Sequence, residues 1–261
     1  MKKYYYFIVE GVHDTAAIWR YIKLMNLNKV LNSDEVDEFW ERTIPKNFPH
    51  NKELRKRVPV PTFFKNEEIS LAVQSAGGDG ELIRSMNSIT NIDYAELSGI
   101  AIFCDADQKM ASDRFNEVYK KLLDEVVNEE LLEIIEGTEL DNFKKGQTNF
   151  GVYIFPDNEN NGTLEDLLIE GAEISYKELL DSARVYVDTA KNIEATYIRE
   201  ARWSISSEKK VLIGVMANIL KPGKANQMSI EDNKWISDST ISITKQQKVQ
   251  DFIRSIMDIE L

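Results

Sequence analysis

A strongly apolar segment near the N-terminus ends abruptly in an acidic turn. Residues 4–9 (YYYFIV) are all aromatic or aliphatic, and Glu10, Gly11 and Asp14 follow them. A run of this kind is typical of a strand that is buried on both faces of a parallel sheet. Apolar residues recur at helical spacing after Asp14, so a strand, a tight turn and a helix are predicted. Glu10 would then lie where α/β proteins bind ligands. The alternative is that Glu10 is a surface charge and Asp14 a helix N-cap.

A second acidic pair follows the segment with the strongest strand pattern in the chain. Residues 99–104 (GIAIFC) are followed directly by Asp105 and Asp107. Residues i and i+2 of an extended chain point the same way, so both carboxylates would lie on one side of the strand end. Such a pair suits a hard cation such as Mg²⁺, which prefers oxygen ligands. The alternative is a solvent-exposed loop with turn-forming aspartates.

A third acidic pair follows a third apolar strand. Residues 150–155 (FGVYIF) predict the strand, and Thr163 is a plausible N-cap for the helix that comes next. Glu165 and Asp166 fall in the first turn of that helix, where the helix dipole favours negative charge. Capping alone would explain these two acids, but a third cluster at a third strand end also fits a common site.

The remaining segments complete an α/β pattern. Residues 32–66 contain four prolines and predict an irregular insertion that rests on Phe63 and Phe64. Residues 69–73 predict a short strand, and the glycines after it predict either a simple turn or an anion-binding loop. We expect one domain over residues 1–170 and a mainly helical extension over 171–261. Helices are predicted near residues 81–89, 114–127, 174–198, 209–220 and 246–261.

The amino-acid composition limits which metal sites and which partners the chain can have. One cysteine, Cys104, and two histidines exclude a cysteine-rich zinc ribbon, so any metal would be held by oxygen. The formal net charge of -12 opposes nucleic-acid binding by simple charge attraction. No segment predicts a signal peptide or a membrane span, which indicates a cytoplasmic protein without membrane contact. Candidate basic patches lie at Lys52–Arg57, at Arg199 and Arg202, at Lys209 and Lys210, and at Lys221 and Lys224.

Two of these motifs resemble those of the Toprim domain, an α/β module of topoisomerases, bacterial primases and the overcoming-lysogenisation-defect nucleases. The resemblance rests on VEGVHD, with Glu10 and Asp14, and on FCDADQ, with Asp105 and Asp107, and it covers residues 4–170. The later FPDNENNGTLEDLL segment is similar to that of stand-alone Toprim-like proteins of bacteria and archaea. The resemblance implies a Rossmann-like, mostly parallel four-stranded sheet flanked by helices.

The resemblance also implies a function. Glu10, Asp105 and Asp107 would hold one or two Mg²⁺ or Mn²⁺ ions, with Asp14 completing the second site. Glu165 or Asp166 would be a further ligand. Lys210 would be a charge partner for the scissile phosphate of DNA or RNA, acting beside the catalytic residues Glu10, Asp105 and Asp107. The chain would be a nuclease, in a phage-defence role in some relatives.

Two partners are expected for the chain. It has no GxxxxGK[ST] loop, so any ATPase would act in trans. A homodimer is a further expectation.

Two other functions stay open at this point. A non-catalytic Toprim module that binds nucleic acid or a protein partner would suit the acidic balance. A small-molecule phosphatase would also place a DxD motif after a strand. The phosphatases usually have Thr or Val two residues beyond their second aspartate, whereas Lys109 and Met110 follow here, which disfavours that class.

Overall fold

The computed structural model describes residues 2–46, 60–194, 198 and 203–259. Within these ranges one mixed sheet has the spatial order β2-β3-β4-β1-β5-β6. Strands β4, β1, β5 and β6 are mutually parallel, whereas β3 is antiparallel to both β4 and β2. The strands are β1 (Lys3–Val9), β2 (Asn28–Lys29), β3 (Thr62–Lys65), β4 (Ile69–Ser75), β5 (Leu97–Asp105) and β6 (Asn149–Phe155).

Helices cover both faces of the sheet. Those in the described ranges are α1 (Val12–Leu24), α2 (Leu82–Asn87), α3 (Ala111–Glu125), α4 (Glu129–Ile135), α5 (Leu164–Ser175), α6 (Lys177–Lys191), α7 (Ile205–Leu220), α8 (Asn226–Asp232) and α9 (Thr244–Ile256). In this part of the chain, no helix combines the length and the apolar character that crossing a membrane requires.

Alternate side chains of β1 enter two hydrophobic cores. Tyr5, Phe7 and Val9 pack with α1 and with the helices from α5 to α9. Tyr6 and Ile8 pack on the opposite face with α2, α3 and α4. Because successive residues of a strand point to opposite faces, an unbroken apolar run is what a strand covered on both sides requires. The prediction for this segment is confirmed.

The expected mostly parallel, four-stranded sheet is correct in its parallel part and wrong in its number of strands. Strands β4, β1, β5 and β6 are parallel, and β2 and β3 add an antiparallel edge that makes the sheet six-stranded and mixed. Strand β3 lies inside the segment that was predicted to be an irregular insertion, and it begins directly after Pro61. Proline has no N–H to donate to the strand ladder. Immediately before a strand that donor is not needed, so Pro61 does not prevent β3 from pairing. Phe63 and Phe64 are buried, as expected, but they are buried as strand residues.

Two glycines on helices give a test of the packing. An added Cβ at Gly171 of α5 would lie 2.0 Å from the Trp235 carbonyl oxygen, whereas at Gly214 of α7 the nearest atom is 3.4 Å away. Alanine favours a helix over glycine by about 0.5–1 kcal/mol. We therefore expect Gly214→Ala to stabilise the protein, and Gly171→Ala to destabilise it by about 1–3 kcal/mol through overpacking. Urea unfolding of both variants measures the difference, and equal stabilisation would contradict this packing.

Candidate functional site

The carboxyl ends of β1 and β5 place two acidic residues side by side. The strands pair in parallel up to Val9 opposite Phe103. Glu10 follows β1 and Asp105 ends β5, and the Asp105 backbone N–H donates to Glu10 Oε1 at 3.0 Å. Burial raises the pKa of Glu10, although this hydrogen bond acts against the rise. The sheet therefore joins the first two acidic motifs at one edge.

Asp14 lies in the first turn of α1 and also faces this edge. Its Oδ2 accepts the Gly11 N–H at 2.7 Å, as expected of a residue that closes the first helical turn. The side chain is buried. Burial, and then the neighbouring charges of Glu10 and Glu165, raise the pKa of Asp14 to about 7. Gly11 is the N-cap of α1 and Asp14 is its third residue, so the N-cap interpretation of Asp14 is wrong in position, although its carboxylate does accept the N-cap N–H. The buried carboxylate is also part of an acidic cluster.

Asp105 and Glu165 complete that cluster from β5 and α5. Asp105 Oδ1 accepts the Leu164 N–H at 2.8 Å, which ties the end of β5 to the start of α5. Burial, followed by the charges of Asp14, Glu10 and Glu165, raises the pKa of Asp105 well above its ordinary value. Four carboxylates, one in the turn after β1 and the others on α1, β5 and α5, therefore influence one another.

Glu165 carries an orphaned oxygen. Only 4% of the residue is exposed, and its Oε2 has no hydrogen-bond partner among the described residues. Buried polar atoms are rarely left unpaired, because desolvation without a partner is costly. This oxygen belongs to a carboxylate whose charge acts on both Asp14 and Asp105, and it is free to accept a ligand.

Asp166, which is adjacent to Glu165 in sequence, pairs with other groups. Its Oδ2 accepts the Thr163 N–H at 2.8 Å, and its Oδ1 is 2.6 Å from Lys209 Nζ. Asp166 therefore acts as a cap and an ion-pair partner, and the expectation that it is a metal ligand is not supported by these contacts.

Asp107 and Lys210 lie at the rim. Asp107 is exposed and has a φ of 55°, and its backbone pairs with Gly162 at 2.8 and 2.9 Å. Its charge still contributes to the raised pKa of Glu10. Lys210 is exposed on α7, and its charge acts to lower the pKa of Asp14. Both residues are close enough to influence the cluster electrostatically.

Three residues at the site were missed by the sequence analysis. Arg114 is buried, its Nε donates to the Asp105 carbonyl oxygen at 3.0 Å, and its Nη2 lies 3.5 Å from Glu10 Oε1. The same Nη2 contacts Asp79. His13 is also close, because Glu165 influences its pKa, which burial lowers. A basic residue in the first turn of the helix after the DxD motif was the available signal for Arg114.

The glycine cluster after β4 is a turn and not an anion site. The N–H groups of Gly77 and Gly78 both donate to the Glu10 carbonyl oxygen, at 3.0 and 2.9 Å. Both residues have a positive φ, of 92° and 138°, which glycine adopts without strain. The anion-binding alternative is wrong because these amides are already paired.

The candidate basic patches are partly neutralised. Lys209 pairs with Asp166, and Lys221 pairs with Asp232 at 2.7 Å. The segment 52–57 and the two arginines at 199 and 202 lie outside the described residues.

The oxygen-rich site fits a divalent cation in chemistry, although its ligands are not drawn together. Among the described residues, no three His, Cys, Asp or Glu side chains form a group that could hold a metal ion. Glu10, Asp14 and Asp105 each use one oxygen to accept a backbone N–H. Each carboxylate retains a second oxygen, and Glu165 Oε2 is unpaired. Such a donor set suits Mg²⁺ or Mn²⁺.

Comparisons with known proteins extend over nearly the whole chain. A family model described as "Protein of unknown function (DUF3226)" matches residues 4–258. No curated protein matches. The crystal structure of hypothetical protein PH0156 from Pyrococcus horikoshii OT3 is similar, with a TM-score of 0.52 and 12% sequence identity. The match covers 98% of this chain and 96% of that one, so the two share a fold over their full length.

Proposed function

This chain belongs to the DUF3226 family of proteins of unknown function, and we propose that it is a metal-dependent nuclease that hydrolyses nucleic-acid phosphodiester bonds. The observation that carries the proposal is the convergence of Glu10, Asp14, Asp105 and Glu165 at one sheet edge, with Glu165 Oε2 buried and unpaired. Clustered carboxylates with raised pKa values are typical of functional sites, because repulsion of this kind destabilises a protein that has no use for it.

Each residue has a proposed role. Glu10, Asp14, Asp105 and Glu165 would hold Mg²⁺ or Mn²⁺, and Asp107 would add negative charge from the open side. A bound divalent ion would activate water and stabilise charge on the scissile phosphate. The N–H donors on Glu10, Asp14 and Asp105 hold one oxygen of each carboxylate and thereby orient the other toward the site.

Lys210 would approach the substrate from α7. Its exposed ammonium lies within electrostatic range of Asp14, at the rim of the cluster. We propose that it contacts the phosphate and offsets the repulsion between this acidic chain and a polyanion. Lys209 on the same helix is held by Asp166, so this ion pair fixes the part of α7 from which Lys210 projects.

The fold and the cellular context are proposed on the resemblance described above. The mixed sheet, with its acidic residues after β1 and β5, is compatible with a Toprim-type fold. A partner ATPase in trans, a homodimeric state and a role in phage defence are proposed with that resemblance, and a cytoplasmic location is proposed from the lack of a predicted signal peptide or membrane span.

Cleavage assays test the proposal directly. Purified protein is incubated with Mg²⁺ or Mn²⁺ and with single- and double-stranded DNA and RNA, with EDTA as the metal-free control. We expect cleavage of at least one substrate, and only with metal. Cleavage that persists in EDTA and in Asp105→Asn would contradict the assignment.

A second function is favoured by one specific observation. Arg114 already offsets part of the charge on Glu10, and no metal-binding group is preformed in the described part of the chain. Both facts would suit a non-catalytic module that binds nucleic acid or a protein. Nucleic-acid binding that is independent of metal and is unchanged in Glu165→Gln would favour this module over the nuclease.

A further inference from the structure

The acidic site divides into two parts with different charge compensation. The inner cluster consists of Asp14, Asp105 and Glu165. The outer cluster consists of Asp79 and Asp107. Glu10 lies between them. The charges of Asp79 and Asp107 act to raise the pKa of Glu10, and the charge of Glu10 acts to raise the pKa of Asp14 and Asp105. The inner carboxylates of Asp14 and Glu165 are buried, whereas Asp79 and Asp107 are exposed.

The outer cluster already contains a cation. The Arg114 side chain is 8% exposed, and its Nη2 contacts both Glu10 and Asp79. Its Nε is held by the Asp105 carbonyl oxygen at 3.0 Å, and Nη1 lies 3.7 Å from Glu117. A guanidinium remains protonated under all ordinary conditions. Removing a buried charge from such partners is costly, so a metal ion would not displace it readily.

The inner cluster has no comparable partner. Among the described residues, Glu165 Oε2 has no hydrogen bond, and no salt bridge joins Asp14, Asp105 or Glu165 to a basic side chain. Lys210 is exposed and acts on Asp14 only through its charge, and His13 lies near Glu165 without forming a salt bridge to it. Three carboxylates, one of them with an orphaned buried oxygen, thus lie beside a cluster that carries its own positive charge.

We propose that Arg114 takes the place of a second metal ion, so that the chain binds a single divalent cation, at the inner cluster. This inference rests on the proposed metal dependence and adds the number and position of the ion. Arg114 is then a positioning residue. It holds Glu10 Oε1 toward the outer cluster and leaves Glu10 Oε2 for the ion.

Counting bound Mn²⁺ tests this inference without measuring catalysis. Equilibrium dialysis of the full chain against MnCl₂, with bound metal read by electron paramagnetic resonance, gives the stoichiometry. We expect about one Mn²⁺ per chain in the wild type, none in Glu165→Gln, and about two in Arg114→Gln, whose outer cluster has lost its cation. Arg114→Lys keeps the charge and should stay at one, and if Arg114→Gln does not fold, the counts for the wild type and Glu165→Gln still test the inference.

The contrary outcomes separate the two claims. Two Mn²⁺ in the wild type, one Mn²⁺ retained in Glu165→Gln, or a single Mn²⁺ in folded Arg114→Gln would overturn the inference while leaving a metal-dependent nuclease standing. No Mn²⁺ binding to the wild type would overturn the proposed function as well.

Discussion

Glu10→Gln should abolish metal-dependent cleavage, with a loss of about 10³-fold or more, equivalent to roughly 4 kcal/mol of transition-state stabilisation. The amide oxygen can still accept the Asp105 N–H that Glu10 Oε1 accepts at 3.0 Å, so the strand ends should stay in place. What the variant loses is one negative charge and one metal ligand. Initial rates at saturating Mg²⁺, with a melting curve for each protein, separate loss of chemistry from loss of fold.

Glu159→Gln is the matched control. Glu159 is an exposed glutamate that pairs with Lys248 at 2.6 Å and lies outside both clusters. The substitution removes the same charge and should leave the cleavage rate within about twofold, because exposed ion pairs contribute little. If Glu10→Gln kept more than a tenth of the wild-type rate, or if both variants lost activity equally, Glu10 would not be part of the reacting site.

The second large effect is an increase in stability. Asp14 has a pKa of about 7 in the folded protein, against an ordinary value of 3.8. Between these values the folded state holds a proton that the unfolded state has released, so the free energy of unfolding falls as the pH rises from about 4 to about 7. Asp14→Asn has no charge to bury and can still accept the Gly11 N–H. We therefore expect it to stabilise the metal-free protein at pH 8 by a few kcal/mol, at roughly 1.4 kcal/mol for each pKa unit.

Asp157→Asn should destabilise the protein, in contrast to Asp14→Asn. Burial alone would raise the pKa of Asp157, but N–H groups of Asn160 and Glu159 lower it below its ordinary value. The charged form therefore stabilises the fold at pH values above the ordinary pKa of an aspartate. This contribution to the free energy of unfolding is lost as the pH falls through the lowered pKa. Urea unfolding in EDTA at pH 5 and pH 8 compares the two variants. Asp14→Asn less stable than the wild type at pH 8 would contradict the electrostatic description of the site.

The large elements of the fold were predictable because they carry long patterns. Strand β1 is an unbroken apolar run, and β5 and β6 are similar, since sheet strands covered on both faces need apolar residues at every position. Strands β2 and β3 have two and four residues, so neither is long enough to show a recognisable pattern of polar and apolar residues. Strand β3 pairs with β4 across a short turn, whereas β2 pairs with β3 from the other side of the proline-containing segment, a contact that local sequence does not reveal.

The site was predictable only in part, for a similar reason. Positions that follow apolar strands located Glu10 and Asp105, because parallel strands end at one edge. Sequence could not choose between Glu165 and Asp166, since neighbours on a helix point in directions about 100° apart and only the docking of α5 decides which one faces the cluster. Arg114 reaches Glu10 across 104 residues, and that contact depends on how α3 packs.

A Mn²⁺-soaked crystal tests the central claim most directly. Anomalous scattering identifies Mn²⁺ independently of any activity. We predict an ion bound by Glu165 Oε2 and by carboxylate oxygens of Asp14 and Asp105, after these side chains close on it. An anomalous map without an ion at this cluster, from a crystal in saturating Mn²⁺ at pH 8, would contradict the account.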